Sequence, residues 1–225
     1  MSTYNVFKKA VSDYRYLKNR NYADKSALKL VGDHYRFSKV ERNCLRRGVV
    51  EKKISLLRKK KLLLPKEVKD LALGIDWYNV LITIESYLKG FLLFLADDGI
   101  VRDTSAIHGS YKQSKVTEQA IEIIIKTLGN LQPSKVEIVI DSPISHSKKM
   151  ADELSQIMES KLKIPFTIFL ARSADFKLKR FHGVIASSDS VIIDAVEKIF
   201  DLSRFCLSTR FNFEPLKIEE LSFKQ

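Results

Sequence analysis

From residue 71 onward, short apolar runs alternate with amphipathic stretches. The runs are LALGID (71–76), FLLFLA (91–96), KVEIVID (135–141), PFTIFLA (165–171), GVIASS (183–188) and, as a further candidate, RFCLST (204–209). Between them, residues 79–89, 114–130, 145–162 and 189–201 carry helical periodicity. This alternation predicts an α/β domain whose mostly parallel sheet is covered by helices on both faces. Strands buried on both sides read as continuous hydrophobic runs, as IVI and FLLFLA do.

The first third lacks strand alternation and predicts helices. Phe7, Ala10, Val11, Tyr14 and Leu17 make one apolar face. A second helix over DKSALKLVG points Ala27, Leu28 and Val31 inward and ends at Gly32. Ser38 and Glu41 form a capping box for VERNCLRRGVVEKKISLLRKKK, a helix that Gly48 bends or breaks. Two helices joined by GDHYRF, the second one basic, fit a helix-turn-helix outline. Pro65 and a linker near 62–70 separate a small all-α domain at 1–65 from the α/β domain at 71–225.

Charge sharpens this division. Residues 1–70 hold 20 basic and 7 acidic residues, whereas the remainder is close to neutral, although the whole chain carries +12. A polyanion-binding module joined to a neutral one accounts for the asymmetry. Lys39, Arg42, Arg46 and Arg47 on the third helix are the candidate nucleic-acid contacts. No apolar run approaches the roughly 18–20 residues that span a bilayer, and MSTYNVFKKAVSDYRYLKNR has no signal-peptide core. A cytoplasmic protein without a membrane partner is expected, with Cys44 and Cys206 as reduced packing residues.

The runs ending at Asp76, Asp141 and Asp189 stop at carboxylates. Ligands of an open parallel sheet bind outside the carboxyl ends of its strands, so these aspartates share one rim. Asp194 follows on the next helix, Glu85 lies on the helix after the first strand, and LADDGIVRD contributes Asp97, Asp98 and Asp103. Converging carboxylates repel unless a cation offsets them, and hard oxygen ligands suit Mg²⁺ or Mn²⁺. Asp76, Asp141, Asp189, Asp98 and Asp103 are the candidate metal ligands; Asp76, Asp141, Asp189 and Asp194 are the candidate catalytic residues. Such a site hydrolyses phosphate esters. Ser142, Ser145, Ser188 and Ser190 are candidate donors to a phosphate.

Plainer roles stand beside these. Asp189 suits a helix N-cap, Asp141 a turn before Ser142-Pro143, and one of Asp97 and Asp98 a turn with Gly99. Asp175 and Asp201 read as solvated. His108, His146 and His182 are scattered and read as surface or core residues. Trp77 and Tyr78 either stack a base or pack the sheet end. No GxSxG, GxxxxGK[ST] or GxGxxG occurs.

GIDWYNV resembles the Asp-Gly-x-Asn opening of the PIN-like nucleases, particularly their NYN branch, with Trp77 where glycine is often found. ASSDSVIID resembles their late strand–Ser-x-Asp–helix segment, and VIDS their central strand. The ordered set GIDWYNVLITIES, LADDGIVRD, DSPIS and ASSDSVIID, with DYRYLKNRNY and ERNCLRRGV before it, is similar to an uncharacterised archaeal family. The PIN-like resemblance implies a three-layer α/β/α Rossmann-like fold, Mg²⁺ or Mn²⁺, and phosphodiester hydrolysis, RNA being preferred over DNA. It implies Asp76, Asp141 and Asp189 as ligands, Asn79 orienting the first, and Asp194 as a second late carboxylate. Glu85, Asp97, Asp98 and Asp103 compete for the helix-borne acid. The expected function is therefore a metal-dependent endoribonuclease. Its rivals are a non-catalytic RNA- or DNA-binding protein with a degenerate domain, and a phosphatase or nucleotide-processing enzyme for a small substrate.

Overall fold

The computed structural model describes residues 3–104 and 111–223. In chain order the helices and strands begin α1 (Thr3–Lys18), α2 (Asp24–His34), α3 (Lys39–Gly48), α4 (Lys52–Lys61), α5 (Pro65–Val68), β1 (Ala72–Asp76) and α6 (Trp77–Leu88). They continue with β2 (Leu93–Leu95), β3 (Val101–Asp103), α7 (Thr117–Leu131), β4 (Lys135–Asp141), α8 (Ser147–Lys161) and β5 (Phe166–Ala171). The last are α9 (Ala174–Leu178), β6 (Val184–Ala186), α10 (Ser190–Ala195), α11 (Leu202–Phe211) and β7 (Leu216–Lys217). One 3₁₀ turn follows at Ile218–Glu220.

Contacts divide the chain into two units, and the division is discontinuous. One holds residues 1–60, 91–106 and 214–225; the other holds 61–90 and 107–213. It differs from the contiguous division expected from charge, because 91–106 and the C-terminal segment pack with the N-terminal helices.

In the first unit, Phe7, Ala10, Val11 and Tyr14 of α1 meet Val31, Cys44 and Leu45 in a core that also takes Phe94, Ile218 and Leu221. FLLFLA is therefore a correction. It supplies β2, which pairs antiparallel with β3 and parallel with β7 in a separate three-stranded sheet. Phe94 and Ala96 of this run enter the helical core, with Phe94 fully buried there, whereas Phe91 and Leu92 are exposed. The capping box at α3 forms as expected: the Ser38 N–H donates to Glu41 across 2.8 Å, and the Glu41 N–H returns to Ser38 Oγ. The long basic helix is two helices. The break falls at Val49–Glu51, where the Asp97 carboxylate accepts the Val50 N–H and the Asp97 N–H donates to the Gly48 carbonyl. Helix α2 runs past Gly32 to His34.

The second unit is α/β, with a four-stranded, wholly parallel sheet in the order β5-β4-β1-β6. The chain goes outward from β1 to β4 and β5, then returns to the other side of β1 for β6. Strand order thus reverses between β1 and β6, a topological switch point where open α/β sheets bind ligands. Leu73, Ile75, Val136, Ile138, Ile140, Val184 and Ile185 are fully buried. Gly74 lets Leu178 and Phe181 close over β1, since a Cβ there would sit 3.0 Å from the Phe181 ring. RFCLST is a second correction: it lies in α11. Leu202, Ser203, Cys206 and Leu207 recur at helical spacing on its buried side, and Asp201 accepts the Arg204 N–H as its cap. Asp201 is thus employed, not merely solvated. Cys44 and Cys206 are free and buried, their thiols pushed up to about 12 by burial. Among the described residues, no helix is long and apolar enough to cross a membrane.

Candidate active site

Asp76 ends β1 and its backbone opens α6 at the switch point. Its side chain is only 5% exposed. Burial pushes its carboxyl up to about 7, and the charges of Asp141, Asp189 and Asp175 add to that against a hydrogen bond from Ser187. The Ser187 hydroxyl donates to Asp76 Oδ2 at 2.8 Å and accepts the Asp189 N–H at 3.0 Å. One buried serine therefore ties the end of β1 to the loop leaving β6.

Asn79, one turn into α6, braces the same loop: its Oδ1 accepts both the N–H and the hydroxyl of Ser188, each at 2.8 Å. This corrects the role expected for Asn79. It orients Ser188, while Ser187 holds the first aspartate. Asp141 ends β4 and accepts the Ala174 N–H at the start of α9 across 2.8 Å. Asp189 caps α10 through the Val191 N–H at 2.7 Å. The Asp189 cap is thus the plainer role expected; the turn expected at Asp141 is made by its main-chain carbonyl, which accepts the Ile144 N–H, while both carboxylates also act electrostatically on Asp76. Ser142 and Ser190 are exposed at the starts of the next segments. The Ser142 main chain donates to Ala171 and accepts from Ser147.

A divalent cation fits the chemistry of this donor set, because a buried carboxylate beside two half-buried ones, all with hard oxygen atoms, is relieved by one. As they stand, no three His, Cys, Asp or Glu side chains among the described residues lie close enough to hold one ion together. Two carboxylates with water completing the shell suffice for Mg²⁺.

Residues 65–205 match the model of a domain of unknown function (DUF5616). The chain belongs to this family. Residues 6–61 match a protein of unknown function (DUF434). The uncharacterized protein MJ0935 of Methanocaldococcus jannaschii is 35% identical over 196 residues, which cover 86% of this chain and 93% of that one. An uncharacterised archaeal relative is thus found, as the motifs suggested. No solved structure matches the chain.

Within the DUF5616 domain, Asp194 is exposed, and Lys61 donates to its main-chain carbonyl and to that of Ile193. Glu85 is withdrawn from solvent, accepting from the Tyr111 hydroxyl at 2.7 Å, the Thr117 hydroxyl at 2.6 Å and Lys89 at 2.7 Å. Trp77 is fully buried, and Tyr78 packs on Tyr111 with ring centroids 4.9 Å apart. Both pack the sheet end. His146 is exposed before α8, His182 is exposed, and His108 lies outside the described residues.

Asp98 and Asp103 belong to the first unit, and arginines hold both. Asp98 is fully buried between Arg58 and Arg102, each 2.8 Å away. Burial pushes its carboxyl up, but the two guanidinium groups outweigh this and hold it below the ordinary carboxylate range. Arg47 pairs with Asp103 at 3.2 Å and also donates to its carbonyl. Arg15 grips Asp97. The β2–β3 hairpin thus presents its acids to the N-terminal helices.

The basic face divides accordingly. Arg47 is spent on Asp103. Arg42 lies over Gly32, pairing with Asp33 at 2.9 Å and donating to the Phe37 carbonyl. Lys39 and Arg46 remain exposed.

Ser187 and Asp175 are the site residues that the sequence reading missed. Asp175, read as solvated, sits on α9, pairs with Lys179 at 3.6 Å and acts on Asp76. The only signal for Ser187 was its place in the Ser-Ser-Asp run closing β6.

Proposed function

We propose that this chain is a divalent-cation-dependent nuclease, an endoribonuclease with a PIN-like catalytic domain and a basic N-terminal module that holds the RNA. The observation that carries this reading is the buried Asp76 at the strand-order reversal, destabilised as an anion by its burial and, to a lesser degree, by Asp141 and Asp189. Asp76, Asp141 and Asp189 would hold Mg²⁺ or Mn²⁺, which when bound supplies an activated water and stabilises charge on the phosphate. Ser187 keeps Asp76 oriented, and Asn79 and Ser188 fix the loop that carries Asp189. Exposed Lys39 and Arg46 contribute phosphate contacts, giving affinity with little sequence information.

A second reading has its own observation. Asp141 and Asp189 both serve backbone N–H groups, so the cluster could be structural in a protein that binds nucleic acid without cutting it. Labelled single-stranded and structured RNA, incubated with Mn²⁺, Mg²⁺ or EDTA beside an Asp76→Asn/Asp141→Asn variant, separates the two. Metal-dependent products from the wild type alone support the nuclease. Intact RNA under every condition, with binding retained, supports the second reading.

A further inference from the structure

A groove of about 580 Å³ opens beside α9 on the second unit. Its upper end, at Ala171 and Ser173, adjoins Asp141: Ala171 is the register partner of Asp141, and Ala174 donates to its carboxylate. Its lower end reaches Glu137 and Lys135, which share a strand face with Asp141 by the two-residue period. Residues lining the groove thus neighbour a member of the carboxylate cluster.

Its lining is cationic and aromatic. Arg172, Lys177, Arg180 and Lys135 outnumber the one acid, Glu137, which pairs with Lys135 at 3.2 Å. Phe176 is 66% exposed, although exposing a phenyl ring gains nothing in water. The Arg180 guanidinium lies 3.6 Å from its ring centroid, and the Lys135 ammonium lies 5.7 Å from that of Phe181. Flat rings beside spaced cations are what an unpaired strand requires: the rings stack bases and the cations meet phosphates. A duplex offers phosphates but keeps its base faces stacked.

We propose that this groove takes a single strand of RNA and leads one of its phosphodiesters to the Asp76–Asp141 cluster. The proposal rests on the nuclease reading and adds the form of the substrate and its path. Phe176 is the stacking platform, and Arg172 and Arg180 are the phosphate contacts.

The test is anisotropy of a labelled 12-nucleotide single strand on the full chain in EDTA, across a series of KCl concentrations. Phe176→Ala weakens binding about 5- to 150-fold. Arg172→Gln/Arg180→Gln flattens the slope of log K against log salt by about 1.4. A duplex of equal length binds more weakly and ignores Phe176→Ala. Both variants alter exposed side chains, and unchanged circular dichroism and thermal unfolding confirm their fold. Unchanged strand affinity in both variants overturns the proposal. So does equal loss for duplex and strand, or displacement of RNA by an acidic 12-residue peptide at matching concentration. Binding through the groove without cleavage in Mn²⁺ leaves the groove assignment standing and removes the nuclease reading alone.

Discussion

Ser187 donates its hydroxyl hydrogen to Asp76 across 2.8 Å, joining the end of β1 to the first residue beyond β6. This bond favours the ionised carboxylate that burial disfavours. Ser187→Ala is therefore expected to move the Asp76 titration upward and to cost about 1 kcal/mol of stability. Carbonyl-region infrared or NMR titration of the Asp76 carboxyl checks the first effect, and urea unfolding the second. A titration that moves downward would contradict the assignment.

Asp76 also sets a pH dependence. Its carboxyl stands at about 7 in the folded chain against an ordinary 3.8. Between those values the unfolded chain loses a proton that the folded one keeps, so this residue's contribution to stability falls as pH rises and levels off above 7. The cost at pH 8 is on the order of 4 kcal/mol at most. Asp76→Asn should therefore be more stable than wild type at pH 8 in EDTA, with the gain vanishing toward pH 4. Urea titrations at both pH values provide the comparison.

A cation that relieves the carboxylate repulsion must stabilise the folded chain. Mn²⁺ at pH 8 should raise the melting temperature of wild type in proportion to log concentration. The effect should shrink at pH 5, where protons compete at Asp76, and be lost in Asp76→Asn/Asp141→Asn. Scanning calorimetry reads this without any substrate. An equal response from the double variant would place the metal elsewhere.

Asp98 tests a different claim. Its pairing with Arg58 and Arg102 is buried, so Asp98→Ala removes the carboxylate that both guanidinium groups share and should cost about 3–5 kcal/mol. The Mn²⁺-induced melting shift should remain. Loss of that shift in a folded Asp98→Asn protein would return Asp98 to the metal site.

Arg47 and Lys39 were both candidate nucleic-acid contacts on α3, but their environments separate them. Arg47→Gln should destabilise by about 3 kcal/mol, because the buried Asp103 loses its ion pair with Arg47. Lys39→Gln should leave unfolding unchanged within about 0.5 kcal/mol. Denaturant unfolding of both variants decides.

Much of the architecture was legible because it is encoded locally. Helical periodicity predicted α1 and α2, the Ser38–Glu41 box marked the start of α3, and apolar runs marked β1, β4, β5 and β6. The strand-end positions of Asp76 and Asp141 and the capping option for Asp189 follow from the same local pattern. What lay beyond reach depends on partners distant in the chain. FLLFLA is apolar whichever core receives it, and only packing assigned β2 to the helical unit. RFCLST satisfies both periods over six residues, and the Asp201 cap with the buried face of α11 resolved it as helix. Asp98 and Asp103 look like rim carboxylates in sequence, yet arginines from other elements neutralise them. Ser187 has no motif of its own; it meets Asp76, 111 residues away, because the sheet seats β6 against β1. Sequence by itself determined which segments would be strands and helices and where charge would gather, since those depend on neighbours a few positions away. Tertiary structure alone decided which charges are spent on one another and which remain to act, since Coulomb energy and desolvation depend on distance and burial in space.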